Sequence, residues 1–131
     1  MIFLADHNLE GHALLLSGHI ASLGWLDLLP VRFVTFEEVG LAAASNDRVV
    51  WKFAQTNQMV LLTANRSMKG ENSLEQVMRE ENMPTSLPIV TIGDANRVLT
   101  DSDYRNRCIG RLIEIVFDID DYRGAMRLFV P

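Results

Sequence analysis

Ile2-Phe3-Leu4-Ala5-Asp6-His7-Asn8-Leu9 is the stretch on which the reading of the fold turns. Its four leading apolar residues show no polar alternation, the pattern of a strand buried on both faces of a parallel sheet. The carboxylate of Asp6 stands where that strand should end. In an open α/β sheet, ligands gather beyond the carboxyl ends of the strands, where the backbone leaves the core and side chains meet solvent. Asp6 and Asn8 are therefore candidates to face a ligand, with His7 between them. The competing role is capping, because short polar side chains accept hydrogen bonds from the free N–H groups of a helix beginning near Leu9.

Working outward, Leu9, Ala13, Leu16, Ile20 and Leu23 recur at helical spacing and predict a helix from Leu9 to Leu23, stopped by Gly24. His12 and His19 lie two turns apart on it, too far to share one metal ion, and read as surface or half-buried residues. Val31-Arg32-Phe33-Val34-Thr35-Phe36 has the content of a second strand, with Glu37 and Glu38 following. Ser45 or Asn46 caps the next helix, with Asp47 in its first turn and Val49, Val50, Phe53 and Ala54 as its buried side. Met59-Val60-Leu61-Leu62-Thr63 is a third strand that leaves through Ala64-Asn65-Arg66-Ser67-Met68. Ser73 and Gln76 form a capping box for a helix to Glu81, and Pro84 and Pro88 bracket a loop.

Ile89-Val90-Thr91-Ile92 is a fourth strand ending in Gly93-Asp94, again an acid at a carboxyl end. Thr100 with Asp103 starts the last long helix, striped by Ile109, Leu112, Ile113, Val116 and Phe117. Arg97, Arg105, Arg107 and Arg111 read as a solvated helix face. Asp118, Asp120 and Asp121 oppose the helix dipole and should end that helix early. Met126-Arg127-Leu128-Phe129-Val130 is a final strand. Five strands alternating with four helices predict one domain over residues 1–131, a three-layer α/β/α fold with a mainly parallel five-stranded sheet and right-handed crossovers.

Composition narrows the function. At 131 residues, 48% hydrophobic and 22% charged, the chain suits one globular domain, and no apolar run approaches the roughly 20 residues of a membrane span. Met1 leads into a strand without a basic leader, so a cytoplasmic location and no membrane partner are expected. The single Cys108 rules out an internal disulfide and a cysteine zinc site, and its place in an apolar stripe makes it a core residue. A net charge of −5 argues against general polyanion binding. Asp6-His7-Asn8-Leu9-Glu10-Gly11 is neither a dinucleotide fingerprint nor a phosphate loop, and no Gly-x-Ser-x-Gly elbow is present. A phosphorelay receiver would need an acceptor Asp where Asn65 stands. What remains is a rim of carboxylates: Asp6, Asp47 and Asp94, with Glu37, Glu38 and Glu71 available.

Three segments in this order carry a resemblance: Phe3-Leu4-Ala5-Asp6-His7-Asn8-Leu9, then Gly40-Leu41 through Ser45-Asn46-Asp47, then Val60-Leu61-Leu62-Thr63-Ala64-Asn65-Arg66-Ser67-Met68. Together they resemble the small PIN-like proteins, which open with Asp-Glu-Asn-Leu, carry Ser-Asp at the second helix start and show Thr-x-Asp-x-Asp-Phe after the third strand. The resemblance covers roughly the first half of the chain. It implies a PIN-like fold and a metal-dependent endoribonuclease of the toxin-antitoxin type, with Asp6 and Asp47 as ligands of Mg²⁺ or Mn²⁺. Catalysis would then rest on Asp6, Asp47 and Asn65, with Asn8, Thr63, Ser67 and Asp94 as substrate or secondary polar contacts. Hard divalent cations take oxygen ligands, and a bound one acidifies water and stabilises charge on a scissile phosphate.

His7, Asn65 and Ser67 each replace an acid of the family pattern, and each removes a negative charge, so weakened or lost activity is expected. The alternative is a non-catalytic module on the same fold that binds RNA or a protein; a hydrolase of small phosphate esters is a third reading. The implied partners are single-stranded RNA, an antitoxin-like protein and a second copy of the chain, for which Trp25 or Trp51 would serve as contacts, with a core position an equal alternative for Trp51.

Overall fold

A computed structural model describes residues 1–65, 70 and 72–131; Ser67 and Glu71 lie outside these described residues. In chain order the elements are β1 (Ile2–Ala5), α1 (Glu10–Ser22), β2 (Arg32–Val34), α2 (Phe36–Val39), α3 (Asp47–Thr56), β3 (Met59–Thr63), α4 (Leu74–Glu81), β4 (Ile89–Ile92), α5 (Ala95–Thr100), α6 (Ser102–Phe117) and β5 (Arg127–Val130). Among the described residues the five strands make one sheet in the order β2-β1-β3-β4-β5, and every neighbouring pair is parallel.

Successive strand residues turn to opposite faces, and each face has its own core. Phe3, Val60, Leu62, Val90 and Ile92 pack with α1 and α6 through Leu16, Ile20, Ile109 and Leu112. Leu4, Leu61 and Ile89 pack with α3 and α4 through Val50, Trp51, Ala54, Val77 and Met78. The result is the expected three-layer α/β/α arrangement. Continuous apolar strands are needed because helices cover both faces.

The connections are not all of one hand. The step from β1 to β2 goes one way along the sheet with α1 on the first face, and the steps from β2 to β3 and from β3 to β4 go the other way with α3 and α4 on the second face. These three share one hand. The step from β4 to β5 continues in that second direction, yet α6 returns to the first face beside α1. Its hand is therefore opposite, where right-handed crossovers throughout were the expectation. One consequence is that Phe129, whose pleat position faces the second side, is half exposed.

Two short helices depart from the sequence reading. Phe36 belongs to α2 rather than to β2, because the Thr35 hydroxyl accepts from Glu38 N and the Glu38 carboxylate accepts from Thr35 N, a complete capping box. Gly40, at φ 79°, closes that single turn in the left-handed conformation. Thr100 ends α5 instead of starting the last helix; Asp101 caps α6 by accepting from Asp103 N and Tyr104 N. The first helix is preceded by a 3-10 turn at His7–Leu9. Ser73 caps α4, but the Gln76 amide donates forward to Glu80, so the box is only half made.

Packing corrects further details. Val49 is 47% exposed and Trp51, at 6%, takes its place in the core, which removes Trp51 as a contact for a second copy. The arginine-rich segment is solvated at Arg97 and Arg107, which are exposed, while Arg105 and Arg111 are half-buried and held by hydrogen bonds. Arg105 donates to the carbonyls of Val98 and Leu99 at the end of α5, and Arg97 and Arg107 lie over the Tyr104 ring. Arg111 bonds Glu114 and the Tyr122 hydroxyl. Cys108 is buried, and burial pushes its thiol up to about 11, as suits an inert core residue. Among the described residues no helix is long and apolar enough to cross a membrane.

Leu62 is fully buried in the central strand β3, so Leu62→Ala is expected to cost about 2–5 kcal/mol in urea unfolding. Leu14→Ala, at a position 77% exposed, should change stability by no more than about 0.5 kcal/mol.

Candidate functional site

In a doubly wound sheet of this strand order, the chain leaves β1 and β3 in opposite directions, and the two exits open a crevice between them. The register places Ala5 beside Leu62, so Asp6 follows β1 directly alongside Thr63. The Asp6 N–H continues the ladder by donating to the Leu62 carbonyl at 2.9 Å. By the pleat, Asp6 and Thr63 both turn to the face covered by α3 and α4.

Thr63, only 1% exposed, donates its hydroxyl to Asp6 Oδ2 at 2.8 Å and accepts from Asn65 N at 2.9 Å. The Asn65 amide nitrogen donates to Asp47 Oδ2 at 3.0 Å. A carboxylate only accepts, so the nitrogen of that amide must face it. Leu74 N, in the first turn of α4, donates to the same Asp47 oxygen at 3.1 Å. Asp47 itself opens α3, where Asn46 accepts from Val49 N as the cap. The Asp6 carboxylate caps the 3-10 turn by accepting from Asn8 N at 3.3 Å, so capping and convergence coexist in one side chain. Asp6–Thr63–Asn65–Asp47 is thus one chain of contacts linking two carboxylates from different layers.

These groups line a cavity of about 210 Å³. Asp6, His7, Asn8, Asp47, Thr63 and Asn65 form its polar wall, and Phe36, Val50, Leu61 and Leu74 its apolar floor. His7 reaches Glu10 at 3.2 Å and tilts toward the Phe36 ring, 6.2 Å between centroids. The Asp47 carboxyl lies above the ordinary carboxylate range, chiefly through burial; the Asn65 hydrogen bond works against this, and the Asp6 charge adds to it. Leu74 N and the charge of Arg127 pull it down more weakly. Among the described residues no lysine or arginine lines the cavity.

No protein-family model, curated protein or solved structure matches the chain. What the cavity can do rests on its own chemistry. Two partly buried carboxylates with hydroxyl and amide neighbours suit a divalent cation of the Mg²⁺ or Mn²⁺ kind, which keeps several waters and takes one or two carboxylates plus substrate phosphate. They do not make a closed protein cage. Among the described residues no three His, Cys, Asp or Glu side chains stand together as a metal-holding group.

The other candidates lie elsewhere. Asp94 caps α5 by accepting from Arg97 N and is not part of the cavity wall. Glu38 is spent in its capping box, and neither it nor Glu37 lines the cavity. Ser67 is outside the described residues. The sequence reading missed Ser45 as a wall residue and the Leu74 N–H as a donor. It also missed Arg127, which donates to the Asn65 carbonyl at 2.9 Å. A lone arginine in an otherwise apolar last strand was the available signal.

Because folding raises the Asp47 pKa, the native state takes up this proton more readily than the unfolded chain. Ionised Asp47 therefore works against the fold at neutral pH, and that cost fades as pH falls through the raised pKa into the ordinary carboxylate range. Asp47→Asn is expected to unfold at a higher temperature than wild type near pH 7, with the difference shrinking on acidification in calorimetric scans.

Proposed function

We propose that this protein is a PIN-like domain whose acid pocket binds one divalent cation, Mg²⁺ or Mn²⁺, and hydrolyses phosphodiester bonds of single-stranded RNA at reduced efficiency. The observation that carries the reading is the convergence of Asp6 and Asp47 on one cavity through Thr63 and Asn65. The ordered resemblance of the three segments supports it, and the buried single cysteine fits the cytoplasmic setting of such an enzyme.

In this reading Asp6 and Asp47 hold the cation, and Thr63 and Asn65 fix where their carboxylates point. When bound, the cation supplies an acidified water and charge stabilisation on the scissile phosphate. The chain's own residues do the rest. Thr63 Oγ1 occupies one Asp6 oxygen, and Asn65 and Leu74 together occupy one Asp47 oxygen, so each acid presents its remaining lone pairs in a set direction. The N-termini of α3 and α4 face the pocket and offset part of the paired negative charge. Phe36, Val50, Leu61 and Leu74 keep bulk water from the floor, where electrostatic interactions are stronger.

Asn65 in place of an acid accounts for the reduced efficiency: its amide satisfies Asp47 without adding charge. A second reading, a binding module without chemistry, is favoured by the small number of carboxylates that line the cavity among the described residues. With Mn²⁺ and a labelled single-stranded oligoribonucleotide, wild type should cleave, and Asp6→Asn should lose at least about a hundredfold, since the cation is worth several kcal/mol in such reactions. Equal cleavage by the variant would contradict the proposal. Asn65→Asp adds a third acid and should tighten Mn²⁺ binding by roughly tenfold in calorimetric titration, because ligand charge sets affinity for hard cations. Absence of Mn²⁺ binding by wild type at millimolar ion would leave the module reading in its place.

A further inference from the structure

Arg127 begins β5, and its side chain is only 8% exposed, an expensive placement for a guanidinium unless its donors are used. Its partners converge from three elements. Nε donates to Glu75 of α4 at 3.0 Å, and Nη1 donates to the buried Thr91 hydroxyl on β4 and to the Asn65 carbonyl at 2.9 Å. Nη2 stands at ion-pair distance from Glu75, 3.0 Å, but is not aligned to hydrogen-bond it. The pleat turns Arg127 to the face that carries the acid pocket, the face that α5 and α6 leave to α4 at this end of the sheet.

Asn65 is the residue through which both acids are joined. Its N–H holds the Thr63 hydroxyl that bonds Asp6, and its amide bonds Asp47. Its carbonyl is what Arg127 grips. We propose that Arg127 is a positioning residue of the acid pocket: it fixes Asn65 at the exit of β3, and so sets the directions in which Asp6 and Asp47 present their carboxylates to a divalent cation. The cation-binding part of this inference rests on the function proposed above; the positioning part does not. A fixed, planar fork of donors is needed to bridge Glu75, Thr91 and Asn65 at once, which an ammonium cannot reproduce in full.

The test uses the intact chain with Arg127→Met, Arg127→Lys and, as a control, Leu112→Ala, which destabilises the opposite core without touching the pocket. Two readouts are taken. In the metal-free protein, NMR resonances of the Asn65 backbone and side-chain amides should shift and exchange faster in Arg127→Met, less so in Arg127→Lys, and remain at wild-type positions in Leu112→Ala. In calorimetric titration with Mn²⁺ alone, Arg127→Met should bind roughly 10- to 100-fold more weakly, the range typical for residues that orient metal ligands, with Arg127→Lys intermediate and Leu112→Ala unchanged. Unmoved Asn65 resonances in Arg127→Met, or equal losses in Leu112→Ala, would overturn the inference. Shifted Asn65 resonances in a protein whose wild type binds no Mn²⁺ would uphold the positioning role and sink the proposed function instead.

Discussion

The hydrogen bond from the buried Thr63 hydroxyl to Asp6 is the contact on which the rest of the pocket depends. It exists because β1 and β3 are neighbours in parallel register, so that the first residue beyond β1 comes to lie beside the last residue of β3. A buried hydroxyl needs a partner, and a carboxylate at the edge of the core needs a donor; each meets the other's requirement. Asn65 then carries the same line of contacts across to Asp47 at the start of α3. Any shift of β1 against β3 by one residue would turn Asp6 or Thr63 to the opposite face and break the chain.

That convergence has an electrostatic consequence. Burial and the Asp6 charge both press the Asp47 carboxyl toward its neutral form, against the hydrogen bond from Asn65. A site that holds two acids together with no lysine or arginine lining it among the described residues is less stable for it, and functional sites commonly carry such strain. Arg127 reduces the tension from behind, through its charge rather than by contact with either acid. The reversed hand of the last crossover matters here, because it leaves the second face at β5 to the Arg127 side chain and α4 instead of to a further helix.

How much of this was legible in the sequence follows from the range of each interaction. Met59–Thr63 and Ile89–Ile92 match their expected limits because a strand covered on both faces is written as an unbroken apolar run. Phe36 was misread because Val31 to Phe36 keeps strand-like composition past Thr35, although Thr35 and Glu38 at capping-box spacing were a local signal for a turn of helix. Asp6 was found by its place at a strand end, a rule that needs only the strand. Asp47 stood out only as a first-turn acid and through family resemblance, since nothing local says that α3 begins over β3. Arg127 could be flagged only as a lone arginine in an apolar strand: its partners Glu75 and Asn65 are 52 and 62 residues away, and only the tertiary fold brings them together.

The central claim is that Asp6 and Asp47 share one electrostatic environment, and the most direct measurement is an NMR titration of the Asp47 side-chain carboxyl carbon in wild type and in Asp6→Asn. Removing the Asp6 charge should lower the Asp47 pKa toward the ordinary carboxylate range. An Asp47 titration curve identical in the two proteins would contradict the account, because the two acids would then not sense each other across the cavity.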